Sequence, residues 1–261
     1  MGFNKILITF LSAIFLGFIG SDLKSQTENT SNKISLGFEG GVQFTKIYDN
    51  WAYSELPKSK AGFNLGFFAD YQISKTVKLR FGTYYDSRGF KIQDVISPIS
   101  ELQSDDSIYV SYASYLTYDL DYNLNYLTIP FSIFYEKGSE KFSIYIQGGV
   151  YYSLLLSANR SGNTNLYIYP EHADNFENPD LRNPGNTITD YDKDDVFDLF
   201  VGNDWGVQFF FGVVYHINQK LDVQLTPGFA KSFEHLYADP SRNSNWSSIY
   251  KINAGIIYSL K

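Results

Sequence analysis

Residues 142–156, FSIYIQGGVYYSLLL, alternate between two kinds of side chain. Phe142, Ile144, Ile146, Val150, Tyr152, Leu154 and Leu156 are apolar, and Ser143, Gln147, Gly149 and Ser153 are small or polar. A period of two residues belongs to a β-strand with two chemically different faces. The run is 15 residues long, whereas strands of globular domains usually stop at about five or six.

Seven other segments repeat the pattern. Ile34, Leu36, Phe38, Val42 and Phe44 oppose Ser35, Gly37, Glu39, Gly41 and Gln43. Ala61, Phe63, Leu65, Phe67, Ala69, Tyr71 and Ile73 oppose Gly62, Asn64, Gly66, Asp70 and Gln72. Val77, Leu79, Phe81 and Tyr85 stand against Lys78, Arg80, Gly82, Asp86 and Arg88, and Leu127, Ile129, Phe131, Ile133 and Tyr135 against Thr128, Pro130, Ser132 and Glu136. Over 198–216, Val201, Trp205, Val207, Phe209, Phe211, Val213 and Tyr215 face away from Gly202, Asp204, Gly206, Gln208 and Gly212. LDVQLTPGF (221–229) and YKINAGIIYSL (250–260) complete a set of eight predicted strands.

Short links at 74–76, 137–140 and 218–219 alternate with long ones at 48–60, 91–121, 157–195 and 235–247. Short links make antiparallel hairpins, so every tight turn falls at one end of the sheet and every long loop at the other. Two architectures suit such strands: a soluble barrel with its apolar face inward, and a membrane barrel with that face in lipid. The polar face decides between them. A surface in water is rich in Lys and Glu, but this face is mostly Gly, Ser, Thr, Asn, Gln and Tyr, including Gly66, Gly82, Gly206, Gly212, Tyr84, Tyr145 and Tyr151. Small residues beside tyrosines suit a narrow, crowded lumen. Strand length agrees, since crossing the hydrocarbon at a tilt takes about 9–11 residues plus the rims. Tyr71, Tyr85, Tyr135, Tyr152, Trp205, Tyr215, Tyr250 and Tyr258 are placed to form interfacial girdles. The expected fold is all-β, an eight-stranded antiparallel up-and-down transmembrane barrel.

Composition sharpens this in three places. There are 22 Tyr and 22 Phe but no Cys, which removes disulfides, thiolate metal sites and thiol nucleophiles. The net charge of −7 comes with no basic patch, so nucleic acid is not an expected partner. After Lys5, the apolar run ILITFLSAIFLGFIG (6–20) and the polar stretch behind it read as a secretory signal peptide, residues 1–25, cleaved before Gln26. Residues 26–261 are then one barrel domain with four long extracellular loops and with both termini in the periplasm.

YLTIPFSIFYE (126–136), YIQGGVYYSLLLSA (145–158) and NDWGVQFFFGVVY (203–215) resemble the strands of the PorT-like outer-membrane β-barrel proteins of Bacteroidota. The resemblance covers nearly all the mature chain. Asn253, Gly255, Tyr258 and Leu260 are similar to the C-terminal signal that the barrel-insertion machinery reads, with Leu260 and Lys261 in place of a terminal Phe. The resemblance implies a non-enzymatic integral outer-membrane protein that scaffolds or assists protein export or surface assembly, related to type IX secretion, with secretion-system or surface proteins as partners. Loop-mediated adhesion, a narrow porin-like channel and an outer-membrane hydrolase are the alternatives.

The expected lumen holds Glu39, Asp70, Lys78, Arg80, Asp86, Arg88, Glu136, Asp204, Asp222, Glu234 and Lys251, read as mutually paired charges filling the barrel rather than an ion path. His172 and His216 read as a loop and a turn residue. His235, with Ser232 and an aspartate, has the residue types of a hydrolytic triad, though such histidines are commonly plain loop residues. Asp190, Asp192 and Asp194 alternate as Ca²⁺ ligands do, but Asp195 and Val201 depart from the EF-hand pattern, and a solvated acidic loop is the simpler reading. No catalytic, cofactor-binding or metal-binding residue is assigned.

Overall fold

A computed structural model describes residues 34–48, 57–99, 114–168, 187–239 and 246–260. The signal peptide expected over 1–25, His172 and Lys261 lie outside the described residues.

Among the described residues nine strands follow one another: β1 (Ile34–Tyr48), β2 (Lys58–Gln72), β3 (Val77–Ile99), β4 (Ser114–Gly138), β5 (Phe142–Ile168), β6 (Thr187–Asp195), β7 (Asn203–His216), β8 (Leu221–Ser232) and β9 (Trp246–Ser259). The sheet runs β4-β3-β2-β1-β9-β8-β7-β5, and β4 pairs with β5, so eight strands close into a ring. Every pairing is antiparallel, and β1 meets β9 across the closure. This is the predicted eight-stranded barrel, with the short links where the sequence put them. β6 stands outside the ring and pairs with β5.

The faces are also as predicted. Register pins them: Phe38 lies between Phe67 and Ile256, and the next rung places Glu39 between Gly66 and Gly255. A slip of one residue would exchange every lipid-facing and lumen-facing side chain. The outer rungs carry Leu36, Phe67, Phe81, Phe131, Ile144, Phe211 and Ile256, all exposed. Glycines on the inner face make room for rings. A Cβ at Gly212 would fall 2.7 Å from Tyr145 Oη, and one at Gly37 2.1 Å from the tip of Phe68.

The regions expected as long loops at 91–121 and 157–195 are corrected: much of both is strand. β3 and β4 pair as far as Ile99 and Ser114, β4 and β5 as far as Ser114 and Ile168, and β6 adds its edge beyond. β3–β6 therefore rise past the ring as a four-stranded wall. The reason is an inversion of polarity along single strands. On β4 the outward residues are Leu127, Ile129 and Phe131 near the ring's middle but Asp119, Asp121, Asn123 and Asn125 above it. The inward residues change oppositely, from Ser132 and Thr128 to Tyr126, Leu124, Tyr122 and Leu120. A bulge at Leu156, between the pairs Tyr126↔Leu155 and Asn125↔Ser157, marks the same level on β5. The predicted strand start at 198 is also corrected to Asn203, because Phe197–Leu199 form a 3-10 turn.

Candidate functional site

The lumen is stacked in layers, each set by residues two apart on neighbouring strands. At the turn end, Lys78 Nζ donates to Glu136 Oε2 at 2.6 Å and the Ser143 hydroxyl donates to the other carboxylate oxygen. His216 bridges Asp222 through Nδ1 at 2.8 Å and Ser143 through Nε2 at 3.1 Å.

One layer up, Arg80 grips Asp70 with two bonds, Nε to Oδ1 at 2.7 Å and Nη2 to Oδ2 at 2.8 Å, and also reaches Gln224 at 3.1 Å. Arg80 and Asp70 are each only 2% exposed. The guanidinium lies 3.7 Å from the Phe68 ring centre and 4.8 Å from that of Phe134, which covers its weakly hydrated faces. Glu39 accepts from Tyr84 at 2.9 Å and from Gln224.

In the third layer Arg88 and Lys251 balance Asp86 and Asp204. Arg88 donates to Asp204 at 2.6 Å and to Asp86 at 3.1 Å, while Lys251 donates to both oxygens of Asp86 at 3.0 and 3.1 Å. Thr128 completes the Asp86 shell at 2.7 Å. Buried charges persist only when paired and hydrogen-bonded, and the expectation of mutually paired lumen charges holds here. Glu234 is the correction: it sits at the rim beyond β8, accepting from the Trp205 indole at 3.0 Å.

Above Arg88 the chemistry changes. Ile47, Phe90, Ile92, Leu120, Tyr122, Leu124, Tyr126, Leu155, Ala158, Val196, Phe200 and Tyr237 form one buried apolar cluster. Phe90 stacks on Tyr122 at 4.7 Å, Phe200 meets both edge-on, and Tyr237 stacks on Phe200 at 5.4 Å. The segments before β7 and after β8 are laced to the wall and to each other through Val196 N–H to Ala158 O, Val201 N–H to Leu236 O and Ala238 N–H to Leu199 O. They fold inward as a cap over the mouth.

Among the lumen's cavities, an upper and a lower one are each of about 20 Å³, room for one water apiece. The upper one is lined by Thr45, Arg88, Asp204, Ser232 and His235, among others. The three residue types of the triad considered above therefore meet around one space. Their bonding is different from a triad, because Ser232 donates directly to Asp204 with no imidazole between them. The structure instead brings Ser143, His216 and Asp222 into line at the turn end. There the serine proton is committed to Glu136, and a serine bound to a carboxylate in this way is held rather than activated. His216 and Asp222 are cross-strand partners about a tight turn, a signal present in the sequence. Asp190, Asp192 and Asp194 fall on β6, where Asp194 meets Arg160 at 3.4 Å. Among the described residues no group of three His, Cys, Asp or Glu is placed to hold a metal ion.

A closed antiparallel ring with an apolar exterior, a paired-charge lumen and exposed aromatic residues near its strand ends (Tyr48, Tyr71, Trp205, Tyr215, Trp246 and Tyr258) is a membrane-spanning β-barrel. Residues 24–234 match the family model described as the outer membrane protein beta-barrel domain. The chain belongs to that family and is an integral protein of the outer membrane. β9, which closes the ring, lies beyond the matched span.

Among solved structures, Ail of Yersinia pestis is 10% identical, with 87% of this chain and 99% of that one covered, at a TM-score of 0.38. Neisserial surface protein A is 13% identical over 86% and 97%, at 0.37. OprG of Pseudomonas aeruginosa is 12% identical over 88% and 97%, at 0.38. No curated protein matches the chain.

Proposed function

We propose that the protein is a non-enzymatic outer-membrane scaffold that presents its β3–β6 wall to a protein partner and so assists protein export or surface assembly. The observation that carries this reading is the wall itself, a hydrogen-bonded sheet that continues past the ring and packs on a buried aromatic cluster. A lumen filled by paired side chains is poorly suited to passing solutes, and Ser232 and Ser143 both give their protons to carboxylates. The PorT-like resemblance supplies the process, with type IX secretion as the export route. In this reading residues 1–25 are removed, turns and termini lie in the periplasm, the long loops lie outside, and the barrel-insertion machinery reads Asn253, Gly255, Tyr258 and Leu260.

The test is a deletion strain complemented with the wild-type chain or with one whose wall is shortened by joining the cross-strand partners Ile92 and Leu120 through a two-residue turn. Loss of exported proteins, restored only by the full chain, supports the proposal. Normal export with lost surface attachment would replace it with adhesion through the loops.

A further inference from the structure

We infer that the loop-end rim of the barrel carries a binding site for the phosphate of an anionic lipid headgroup, built from Lys46 and Lys231 on either side of Ser248.

The three residues form one rung on the outer surface: Lys46 pairs with Ser248 across β1 and β9, and Ser248 pairs with Lys231 across β9 and β8. The rung below it is Phe44–Tyr250–Phe229, and the pair above it is Tyr48–Trp246. Phe44, Phe229, Tyr250, Tyr48 and Trp246 are all exposed on the lipid-facing side. The cationic rung therefore sits where the apolar band ends and headgroups begin.

Both side chains lean the same way. Lys46 Nζ lies 5.1 Å from the Tyr48 ring centre and Lys231 Nζ 4.9 Å from that of Trp246. Because Tyr48 and Trp246 are direct cross-strand partners, the two ammonium groups rise over adjacent rings. Their backbones are two strand spacings apart, about 10 Å, a gap that two lysine stems can close onto one phosphate.

A lysine at a bilayer rim ordinarily snorkels to water, and the same rim shows what a neutralised one looks like. Lys60 and Lys91 share Asp121, Lys60 closely and Lys91 at 3.6 Å. Lys46 and Lys231 have no carboxylate within ion-pair distance among the described residues, and Glu234, the nearby rim carboxylate, is held by Trp205. Two cations with no ion-pair partner among the described residues, fixed on aromatic rings at headgroup depth with a hydroxyl between them, complement a phosphate anchored by its own acyl chains.

The test is native mass spectrometry of the full chain in detergent with phosphatidic acid or phosphatidylcholine. Wild-type protein should retain phosphatidic acid preferentially. Lys46→Gln and Lys231→Gln should each weaken it roughly fivefold, and the double variant about thirty-fold, with Lys141→Gln at the opposite rim unchanged. Heat-modifiable migration checks that each variant is folded, and the single variants carry the test if the double one is not. Equal retention of both lipids, or undiminished phosphatidic acid in the variants, overturns the inference. So does displacement by inorganic phosphate at stoichiometric concentration, which would make the anion free phosphate.

Discussion

The lumen below Arg88 and the mouth above it are lined by the same strands and opposite chemistry. Below, inward positions carry Arg80, Asp70, Glu39, Asp86 and Lys251, each buried and paired. Above, they carry Phe90, Ile92, Leu120, Tyr122 and Leu124. The solvent outside explains the difference. Where the outer surface meets lipid, it must be apolar, and the lumen is left to be filled by whatever packs and pairs. Where the strands clear the lipid, the outer surface must be wettable, and stability has to come from an apolar interior, as in a soluble sheet. One strand such as β4 obeys both rules in turn.

The contrast breaks first if the lumen charges are not truly buried. Arg80→Leu leaves Asp70 and Glu39 without their shared cation, and stranding a buried charge costs about 3–5 kcal/mol. Urea titration of the folded, fast-migrating species should show this loss. Combining Arg80→Leu with Asp70→Leu should recover much of it, since apolar replacement of a whole pair is close to neutral. A loss below about 1 kcal/mol would instead indicate a solvated pair and a wet lumen.

In the mouth, Phe200→Ala removes a ring that contacts Phe90, Tyr122 and Tyr237. A buried Phe→Ala change typically costs about 3–5 kcal/mol where it acts. Here the cost should fall on the cap and wall, seen as faster protease cleavage at the loop end, while the ring's urea midpoint moves little. A ring that unfolds together with the wall would mean the two regions are one cooperative unit.

On the outer surface, Phe67, 69% exposed and at the middle of β2, should tolerate arginine badly. Arginine at mid-bilayer costs about 2–4 kcal/mol, whereas Asn123→Arg, outward on the wall, gives up only a partly water-exposed bond from Lys60 and should cost under about 1 kcal/mol. Refolding yields into vesicles, compared for the two variants, locate the lipid boundary between them.

That boundary is also where the sequence stopped being readable. Below it, apolar residues such as Phe131 and Ile133 mark the outward face, and the eight strands, their faces and the paired lumen charges follow. Above it the apolar residues move to the inward face, so a reading that tracks one apolar face loses β4 at Tyr126 although Leu124, Tyr122 and Leu120 continue the period. Phe68, Phe134 and Val214 were hidden for a related reason: they are apolar residues on a face identified by its polarity. The partners of each charge, such as Lys251 with Asp86 across the lumen, depend on curvature and tilt, which alternation does not encode.

The smallest effect tests the comparison within a single kind of interaction. Asp121 bridges Lys60 and Lys91 on the outside of the wall, its side chain 28% exposed, while Asp70 bonds Arg80 on the inside. Both are carboxylate–cation contacts between neighbouring or next-neighbouring strands. Water reaches Asp121, so its gain is screened and its loss leaves no stranded charge; Asp121→Asn should cost under about 1 kcal/mol and less still at high salt. Asp70→Asn should cost several times more and be indifferent to salt, because the buried guanidinium left behind loses its bidentate partner and keeps only Glu39 at 3.9 Å, Gln224 and ring faces around it. Equal costs for the two substitutions would mean that the wall is as dry as the lumen, and that its outer face is covered by something other than water.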